Sequence, residues 1–579
     1  MRKLTNNEAG AGVNSVASGM GDSLSHDSAI KHVTGRAQYV DDILEPVDLL
    51  HVATGQSTIA HGRIKSLNLD AVRLAEGVVD VITVSDVPGD PDVSPVYTGD
   101  MLLASAEVVY IGQPIFAVAA ISIELAKKAC LQAKIEYEEL EAVLTPQQAL
   151  ANEAFVLPTR SFVKGDVGQA IESAAHVVEA QLHVRGQEHF YLEGQISLAL
   201  PTEDGGVHVI SSSQHPSEVQ KLVASVLGVN IHQVQSETRR MGGGFGGKES
   251  QAAVLACIAS LFAIRNRRSV KYRMPRQDDM VQTGKRHDFW NRYRAGVTDQ
   301  GVIVGVQMEL AGLCGCTADL SEGIVDRAMF HADNAYYYPA ARINGYRCKT
   351  NTVSNTAFRG FGGPKGMIAA ESMMEDIARK VGRDPLDVRL DNLYAPGRDE
   401  TPYGQKIEQH MLRDMMEKLA DDADYRNRRN AIVAFNKENA DLRKGLALTP
   451  IKFGISFTST HLNQAGALLH IYTDGSIHIN HGGTEMGQGL HTKIAQVVAS
   501  TLGVSYERVM VSSTRTDKVP NTSPTAASAG TDLNGMAAQN AAEKIKRRLI
   551  EFVASDSGAR SNEVTIENDM VVVRGESRS

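Results

Sequence analysis

Cysteine is scarce in this sequence, and the few cysteines are not arranged to bind a metal. The 579 residues include five, none of them in a C-x-x-C pair or in a cluster of four. This pattern excludes a structural zinc site or an iron–sulfur centre encoded by this chain. Cys314 and Cys316 have the spacing of one strand face, which predicts a pair of buried thiols. The low cysteine content also suits a reducing compartment.

Long apolar runs and an excess of positive charge are also absent. No stretch approaches the roughly 18 apolar residues of a membrane span, and no signal-peptide pattern opens the chain. We therefore expect a cytoplasmic protein without a membrane partner. The net charge of −9 argues against nucleic acid as a partner. The basic runs at 265–268 and 285–287 are interpreted as solvated loops.

The length of the chain predicts about three or four domains. Residues 1–24 are polar and rich in glycine and serine, which predicts a flexible N-terminus. Strand and helix patterns then mix, and proline and asparagine residues between 146 and 158 mark a boundary. With a further boundary near 425, we predict mixed α/β regions at 25–155, 156–424 and 425–579.

One glycine-rich loop dominates the middle of the chain. Residues 240–249, RMGGGFGGKE, hold five glycines in six positions, so their backbone must turn sharply or approach something closely. The spacing satisfies the dinucleotide pattern G-x-G-x-x-G and most of a P-loop. However, Glu249 stands where a P-loop needs Ser or Thr, and the run at 265–268 is basic where a Rossmann fold needs an acid. A tight turn between a strand and a helix remains the alternative.

Three other loops share the character of this first loop. The second loop is RGFGG at 359–363, the third is HGGTEMGQG at 481–489, and the fourth is VPNTSPTAAS at 519–528. All are small, flexible and mostly uncharged, and they are spread over almost 300 residues. Backbone N–H groups and amides supplied from such distant places predict the binding of one large polar ligand.

Five motifs together resemble one known family. RMGGGFGGKE, SNTAFRGFGGPKG, KFGISF, GGTEMGQGLHTK and VPNTSPTAAS occur in the order found in the molybdenum-binding subunits of xanthine dehydrogenases of the bacterial two-subunit type. The resemblance runs from about residue 25 to the last residue. It implies an α/β hammerhead-type domain at 25–155 and molybdopterin-binding domains at 156–424 and 425–579, the second of them partial.

The pattern of apolar residues predicts several elements around these loops. An Asp-Gly turn between two alternating stretches predicts a β-hairpin that leads into the third loop. A stripe of Met367, Ala370, Met374, Ile377 and Val381 predicts one buried helix face, and this stripe is packing rather than a set of methionine ligands.

We further predict a weak strand at 231–235, a helix at 250–263 and a strand at 570–573. A helix is also predicted at 535–553, and its apolar stripe is Ala538, Ala542, Ile545, Leu549 and Phe552.

The resemblance implies a molybdenum cofactor whose metal is held by the dithiolene sulfurs of a pterin. The protein then supplies no metal ligands, which agrees with the missing His/Cys/carboxylate cluster. The chain instead contacts the pterin and the other ligands of the metal. The positions that match the family's cofactor contacts are Gln214, Phe245, Gly246, Arg359, Gln488, Ala526, Ala527 and Ser528.

The resemblance also implies a purine site. Glu249 and Arg327 match the residues that bind the two ends of the purine and take part in catalysis, and Phe361 and Phe457 match two rings that sandwich its plane. Thr458 is a further contact. Aldehyde oxidases of the family carry uncharged residues at the positions of Glu249 and Arg327, so the sequence favours a purine, hydroxylated from hypoxanthine and xanthine towards urate.

The electron carriers of the family are expected on another chain. The resemblance implies a partner subunit with 2Fe-2S clusters and FAD, NAD as the acceptor, and a dimer of heterodimers. The family's catalytic base is a glutamate in a Gly-Glu-Pro-Pro motif, which does not occur here. Because a general base contributes about 10²–10⁴-fold, we expect the sequence to be a fragment, a truncated product or one half of a split subunit.

Three alternatives remain open at this point. In the first alternative, the chain belongs to a related hydroxylase that acts on aldehydes or N-heterocycles. In the second, it is a catalytically inactive chain that binds only the cofactor or a partner subunit. A nucleotide-binding protein ranks below both, because Glu249 disrupts the P-loop pattern.

Overall fold

The computed structural model describes residues 19–455, 457, 460–526 and 530–578. Its fold class is mixed α/β, as predicted. The region at 25–155 contains four helices, α1 Ala29–Val33, α2 Asp70–Arg73, α3 Ile123–Cys130 and α4 Pro146–Ala151. Its strands are β1 Leu50–Gln56, β2 Gly62–Asn68, β3 Val78–Thr83, β4 Glu107–Val108, β5 Pro114–Ala120 and β6 Lys134–Glu139.

The middle region, 156–424, carries the largest number of elements. Its strands are β7 Phe155–Lys164, β8 His176–Val184, β9 Ile196–Pro201, β10 Val207–Ser211, β11 Val234–Thr238, β12 Val270–Arg273, β13 Phe289–Val297, β14 Ile303–Gly315 and β15 Ala341–Lys349. Its helices are α5 Val167–Glu172, α6 Pro216–Leu227, α7 Ala252–Asn266, α8 Arg276–Gln282, α9 Ser321–Phe330, α10 Gly363–Val381, α11 Pro385–Asn392 and α12 Leu412–Asp422.

The last region, from residue 425, has three helices and seven strands in its described part. The helices are α13 Tyr425–Glu438, α14 Leu490–Leu502 and α15 Gly530–Ser557. The strands are β16 Ala467–Ile471, β17 Ile477–His481, β18 Val509–Val511, β19 Thr514–Arg515, β20 Val564–Glu567, β21 Met570–Val573 and β22 Glu576–Arg578. The predicted hairpin is present as the antiparallel pair β16–β17, which ends where the third loop begins.

An eight-stranded sheet joins all three regions. Its order is β19-β11-β10-β9-β12-β1-β5-β3. The first two regions meet where β1 pairs in parallel with β12, with Leu50 opposite Val270. Every residue of β5 is buried, as expected for a strand covered on both faces. Helix α7 is apolar on all sides and packs against this sheet, so the residues just before it, the first loop, leave the sheet from a rigid base.

A second sheet of five strands, in the order β7-β15-β14-β13-β8, supports α9 and α10. The two helices approach closely because Gly362 and Gly366 of the α10 end face the backbone of α9. Met374 and Ile377 of α10 are buried in the core beneath, as the predicted stripe requires. This packing places the second loop, which precedes α10, beside the helix that carries Arg327.

Two predictions of local structure are wrong in part. The strand predicted at 231–235 is a short 3-10 turn followed by β11, because the amide oxygen of Gln233 accepts the Asn230 N–H at 3.1 Å. In α15, Leu549 and Phe552 of the predicted stripe are 39% and 70% exposed. The small β20-β21-β22 sheet packs instead against the face of α15 that contains Ala554.

The predicted helix at 250–263 begins at Ala252 and continues to Asn266. The strand predicted at 570–573 is β21. Among the described residues, none of the helices combines the length and apolar character needed to cross a membrane.

Gly366→Ala should destabilise the chain. The new Cβ would lie 2.1 Å from the Ala328 carbonyl oxygen in α9, and a backbone atom cannot rotate away. We expect a loss of about 1–3 kcal/mol, seen as a lower midpoint of thermal unfolding. Gly445→Ala is the matched control, because nothing lies within 4 Å of its Cβ position. Equal midpoints for the two variants would contradict the close approach of α9 and α10.

Candidate functional site

The structure brings the four loops together. The N–H of Arg359 in the second loop donates to the Phe245 carbonyl of the first at 2.8 Å. The N–H of Met241 donates to the Glu485 carbonyl of the third loop, also at 2.8 Å. Convergence of these loops was the central prediction from their composition, and their backbones are in direct contact.

Gln214 connects the first loop to the fourth. Its side-chain oxygen accepts the N–H groups of Gly246 at 2.9 Å and Lys248 at 3.3 Å. Its amide nitrogen donates to the Thr525 carbonyl at 2.9 Å and to a Glu249 carboxylate oxygen at 3.4 Å. Because these bonds use both amide donors and the oxygen, the predicted cofactor residue acts first as a support for the loops.

Glycine is required where the loops touch. A Cβ on Gly244 would lie 2.5 Å from the Gln214 side-chain oxygen, and one on Gly246 would lie 2.7 Å from the Ala357 carbonyl. A Cβ on Gly482 would lie 2.0 Å from the Thr522 side chain. The glycine content of the motifs is therefore explained in part by packing between loops, independently of any ligand.

Glu485 shapes the third loop, although its role had no sequence prediction. One carboxylate oxygen accepts the N–H groups of Gly487 at 2.8 Å and Gly489 at 3.1 Å. The other accepts an N–H in the first turn of α14 at 3.1 Å, so the side chain caps this helix. The capping pattern, an acid shortly before a helix start, was visible in GGTEMGQGL. Glu485 also lies near His26 and Asp27 as a group of three potential metal ligands.

Glu249 is half-buried at the end of the first loop. Burial raises the pKa of its carboxyl to about 8, and the negative charge of Asp319 adds to this shift. The hydrogen bond from Gln214 acts in the opposite direction. A large fraction of Glu249 is therefore protonated at neutral pH, and its carboxyl is able to donate a hydrogen bond as well as accept one.

Arg327 is buried on α9 and faces the aromatic residues of the site. Its guanidinium donates to the Gly454 carbonyl and lies 6.0 Å from the centroid of the Phe361 ring and 5.5 Å from that of Phe453. Burial lowers the pKa of the guanidinium, which nevertheless stays charged at neutral pH. The structure thus places the guanidinium of Arg327 beside the ring of Phe361.

The two predicted stacking rings touch each other. The centroids of Phe361 and Phe457 are 6.0 Å apart, and the ring planes are inclined by 69°. This is an edge-to-face contact, which leaves no parallel slot for a flat ligand. Phe361 has a left-handed φ of 58°, so its ring direction is set by a strained backbone. The predicted contacts Thr458, Ala527 and Ser528 lie outside the described residues.

Arg286 is the main residue that sequence reasoning missed. The run at 285–287 was interpreted as a solvated loop, but Arg286 is buried, so this interpretation is wrong. Its guanidinium donates to the carbonyls of Arg359 at 2.7 Å and Phe361 at 3.3 Å and lies 3.9 Å from the Phe358 ring centroid. Burial lowers its pKa to about 10. Three basic residues in a row resemble a surface loop in the sequence, and only the tertiary contacts show that Arg286 supports the second loop.

Lys248 does not have the role of a P-loop lysine. It is fully buried, and its ammonium donates to the Ser212 hydroxyl at 2.6 Å and to the Glu193 carbonyl at 2.8 Å. It also lies 4.5 Å from the Tyr191 ring centroid. These contacts hold the base of the first loop and leave the ammonium inside the protein, away from any phosphate in solvent.

Comparison with known families agrees with this arrangement. Residues 34–141 match the a/b hammerhead domain of aldehyde oxidase and xanthine dehydrogenase, and residues 149–393 and 418–579 each match a molybdopterin cofactor-binding domain. The chain belongs to the aldehyde oxidase and xanthine dehydrogenase family. The three matches leave few residues uncovered and follow the order predicted for the three regions.

Individual relatives give the same family. The chain is 42% identical to the xanthine dehydrogenase/oxidase of Gallus gallus over 531 residues, which is 92% of this chain and 39% of that protein. It is 41% identical to a xanthine dehydrogenase of Oryza sativa subsp. japonica over 546 residues, 94% of this chain and 40% of that one. The chain thus spans about two fifths of the length of these relatives.

Two solved structures share the fold. Quinoline 2-oxidoreductase from Pseudomonas putida 86 aligns with a TM-score of 0.85 at 23% identity, covering 97% of this chain and 75% of that one. Aldehyde oxidoreductase from Desulfovibrio gigas aligns with a TM-score of 0.76 at 25% identity, covering 90% and 59%.

The described residues fit a molybdopterin cofactor. Phe245 is 43% exposed at a left-handed φ of 54°, and the side chains of Arg359 and Gln488 are also exposed. Within the described part of the chain, the Arg359 side chain forms no hydrogen bond or ion pair, so its guanidinium is available to an anionic group. The Gln488 side chain bonds to Met486 and Thr484 of its own loop, and Ala526 is half-buried in the fourth loop.

Glu249→Gln should change the pH dependence of stability. The pKa of Glu249 is raised from 4.5 to about 8, so between these values the folded state holds more proton than the unfolded state. The contribution of Glu249 to stability therefore falls as pH rises through this window. Because glutamine stays neutral, the variant should unfold at a higher temperature than wild type at pH 8, and the difference should vanish near pH 4.5.

The measurement is thermal unfolding at several pH values, with Glu203→Gln as a control at an exposed position. A gap between Glu249→Gln and wild type that does not depend on pH would contradict the burial of an ionisable carboxyl at this position.

Proposed function

We propose that this chain is the molybdenum-cofactor-binding part of a xanthine dehydrogenase, which hydroxylates hypoxanthine and xanthine towards urate. The observation that carries the proposal is the charge pattern of the site, with Glu249 beside the cofactor loops and Arg327 beside the ring of Phe361. Aldehydes offer no second polar end that would need both residues. The names of the two xanthine dehydrogenase relatives support a purine as well.

The loops hold the cofactor in this proposal. Phe245, Gly246, Arg359, Gln488 and the fourth loop contact the pterin and its anionic groups, while Gln214 and Arg286 keep the loops in place. When bound, the molybdenum cofactor supplies the oxidising centre that hydroxylates an electron-poor carbon and takes up two electrons.

The substrate is bound by the chain's own side chains. The protonated carboxyl of Glu249 donates to an acceptor atom at one end of the purine. Arg327 donates to a purine oxygen at the other end and stabilises the negative charge that develops there. A guanidinium has five donors, so Arg327 keeps its bond to the Gly454 carbonyl while it does so. Because the centroids of Phe361 and Phe457 are 6.0 Å apart and the rings touch, entry of the purine between them requires the two rings to move apart.

The electrons leave through other parts of the assembly. We propose 2Fe-2S clusters and FAD on a partner subunit and NAD as the final acceptor, in a cytoplasmic dimer of heterodimers. The scarcity of cysteine in this chain supports a separate location for the iron–sulfur clusters.

A double substitution tests the choice of substrate. In the assembled complex, Glu249→Val with Arg327→Met should lower kcat/KM for xanthine by about 10²-fold or more, because two hydrogen bonds to charged or polar ends are lost. Oxidation of a small aromatic aldehyde should be retained or increased. The steady-state rates for both substrates provide the measurement, and unchanged purine kinetics would refute the proposed pocket.

A single substitution tests the cofactor contact. Arg359→Ala should weaken cofactor retention by about 1.5–3 kcal/mol, the contribution of a charge-assisted hydrogen bond, and the purified complex should contain several-fold less molybdenum per chain. Metal analysis measures this, with Arg63→Ala as the control, because Arg63 is an exposed residue of β2. An Arg359→Ala complex with normal molybdenum and normal turnover would remove Arg359 from the site.

A further inference from the structure

Asp319 is a buried carboxylate at which several elements of the site meet. It lies between β14 and α9, is 1% exposed and has a left-handed φ of 40°. One carboxylate oxygen accepts from the Ser250 hydroxyl and the Gln251 amide, both at 2.8 Å. The other accepts from the Thr356 hydroxyl at 2.9 Å and the Leu320 N–H at 2.5 Å. One side chain is thus surrounded by four donors.

The donors belong to the elements that carry the proposed substrate contacts. Ser250 directly follows Glu249 in the chain. Thr356 lies just before the second loop, which contains Phe361. Asp319 itself lies just before α9, which carries Arg327. A single carboxylate therefore links the three elements whose spacing sets the width of the pocket.

Gln251 extends this network to Arg286. The side-chain oxygen of Gln251 accepts the Gly284 N–H at 2.9 Å. Gly284 precedes the run that contains Arg286, whose guanidinium holds the Arg359 and Phe361 carbonyls. The network of Asp319 thus reaches the second loop in two ways, through Thr356 just before that loop and through Gln251 and the segment that contains Arg286.

We propose that Asp319 is a positioning residue of the substrate site, which fixes the spacing of Glu249, Arg327 and Phe361 and keeps the Glu249 carboxyl in its hydrogen-bond-donating form. This inference rests on the proposed function for its substrate. The geometry of the network and the electrostatic coupling to Glu249 do not depend on which substrate is bound.

The carboxylates near Glu249 and Asp319 raise the pKa of both groups. Burial is the largest cause of the raised pKa of Glu249, and the charge of Asp319 is the next. Burial also raises the pKa of Asp319 to about 7, to which Asp100 contributes, whereas the Ser250 and Thr356 hydroxyls lower it. Lys248, next in the chain to Glu249, directs its ammonium to Glu193 and Ser212 instead. Removing the Asp319 charge should therefore let Glu249 ionise at lower pH.

The first experiment compares the pH profiles of kcat/KM for xanthine in the wild-type complex and in Asp319→Asn. We expect the alkaline decline to move to lower pH by about one unit, as for a lost like charge nearby. The ionisation of xanthine itself is common to both enzymes and cancels. In a Glu249→Gln background, where residue 249 cannot ionise, Asp319→Asn should produce no such shift.

Two further variants separate charge from structure. Thr356→Val removes one donor but keeps a carboxyl at 319. Because the lost hydroxyl lowers the pKa of Asp319, the variant should lower kcat/KM over the whole pH range and shift the alkaline decline less than Asp319→Asn does. Asp279→Asn removes another fully buried carboxylate, bonded to Tyr191 and Thr283, and should leave the position of the alkaline decline unchanged. Thr356→Val also tests the network if Asp319→Asn does not fold.

A second readout does not depend on turnover. The gain in unfolding temperature of Glu249→Gln over wild type at pH 8 should be smaller in the Asp319→Asn background. A wild-type complex that does not oxidise xanthine refutes the proposed function, and this thermal comparison still tests the inference. Equal gains in both backgrounds, or an Asp319→Asn profile lowered uniformly without a shift, would overturn the role of Asp319.

Discussion

The site depends on the close approach of loop backbones around one buried amide. Gln214 uses its oxygen and both amide hydrogens to hold the first loop against the fourth, and the first loop in turn bonds to the second and third. Close contact at these points is compatible only with residues that lack a Cβ, which is why glycine stands at 244, 246 and 482. Substitution at any of these positions would disturb several loops together.

Buried charges set the chemistry around this frame. Lys248 and Arg286 are held by carbonyls and aromatic rings beneath the loops, where they fix the backbone. The side chains of Arg359 and Glu249 do not support the loop backbone in the way that Lys248 and Arg286 do. Arg359 is exposed, and Glu249 retains a proton because it is buried near another carboxylate. Lys248 and Arg286 therefore shape the site, whereas Arg359 and Glu249 are the side chains available to bind a ligand.

Much of this arrangement was predictable from the sequence, and the failures have physical causes. The hairpin, the α10 stripe and the convergence of the loops follow from local patterns and composition, and the resemblance identified the family. Arg286 was misjudged because a run of three basic residues carries no local sign of burial. The edge-to-face contact of Phe361 and Phe457 depends on backbone angles and packing. Asp319 offers no motif because three of its four donors come from distant stretches.

The central claim is that the four loops hold a molybdopterin cofactor. The most direct measurement is the molybdenum and pterin content of the complex that contains this chain, purified from its native host and expressed per chain. About one molybdenum and one pterin are expected for each chain. A stable, correctly assembled complex that contains neither would contradict it.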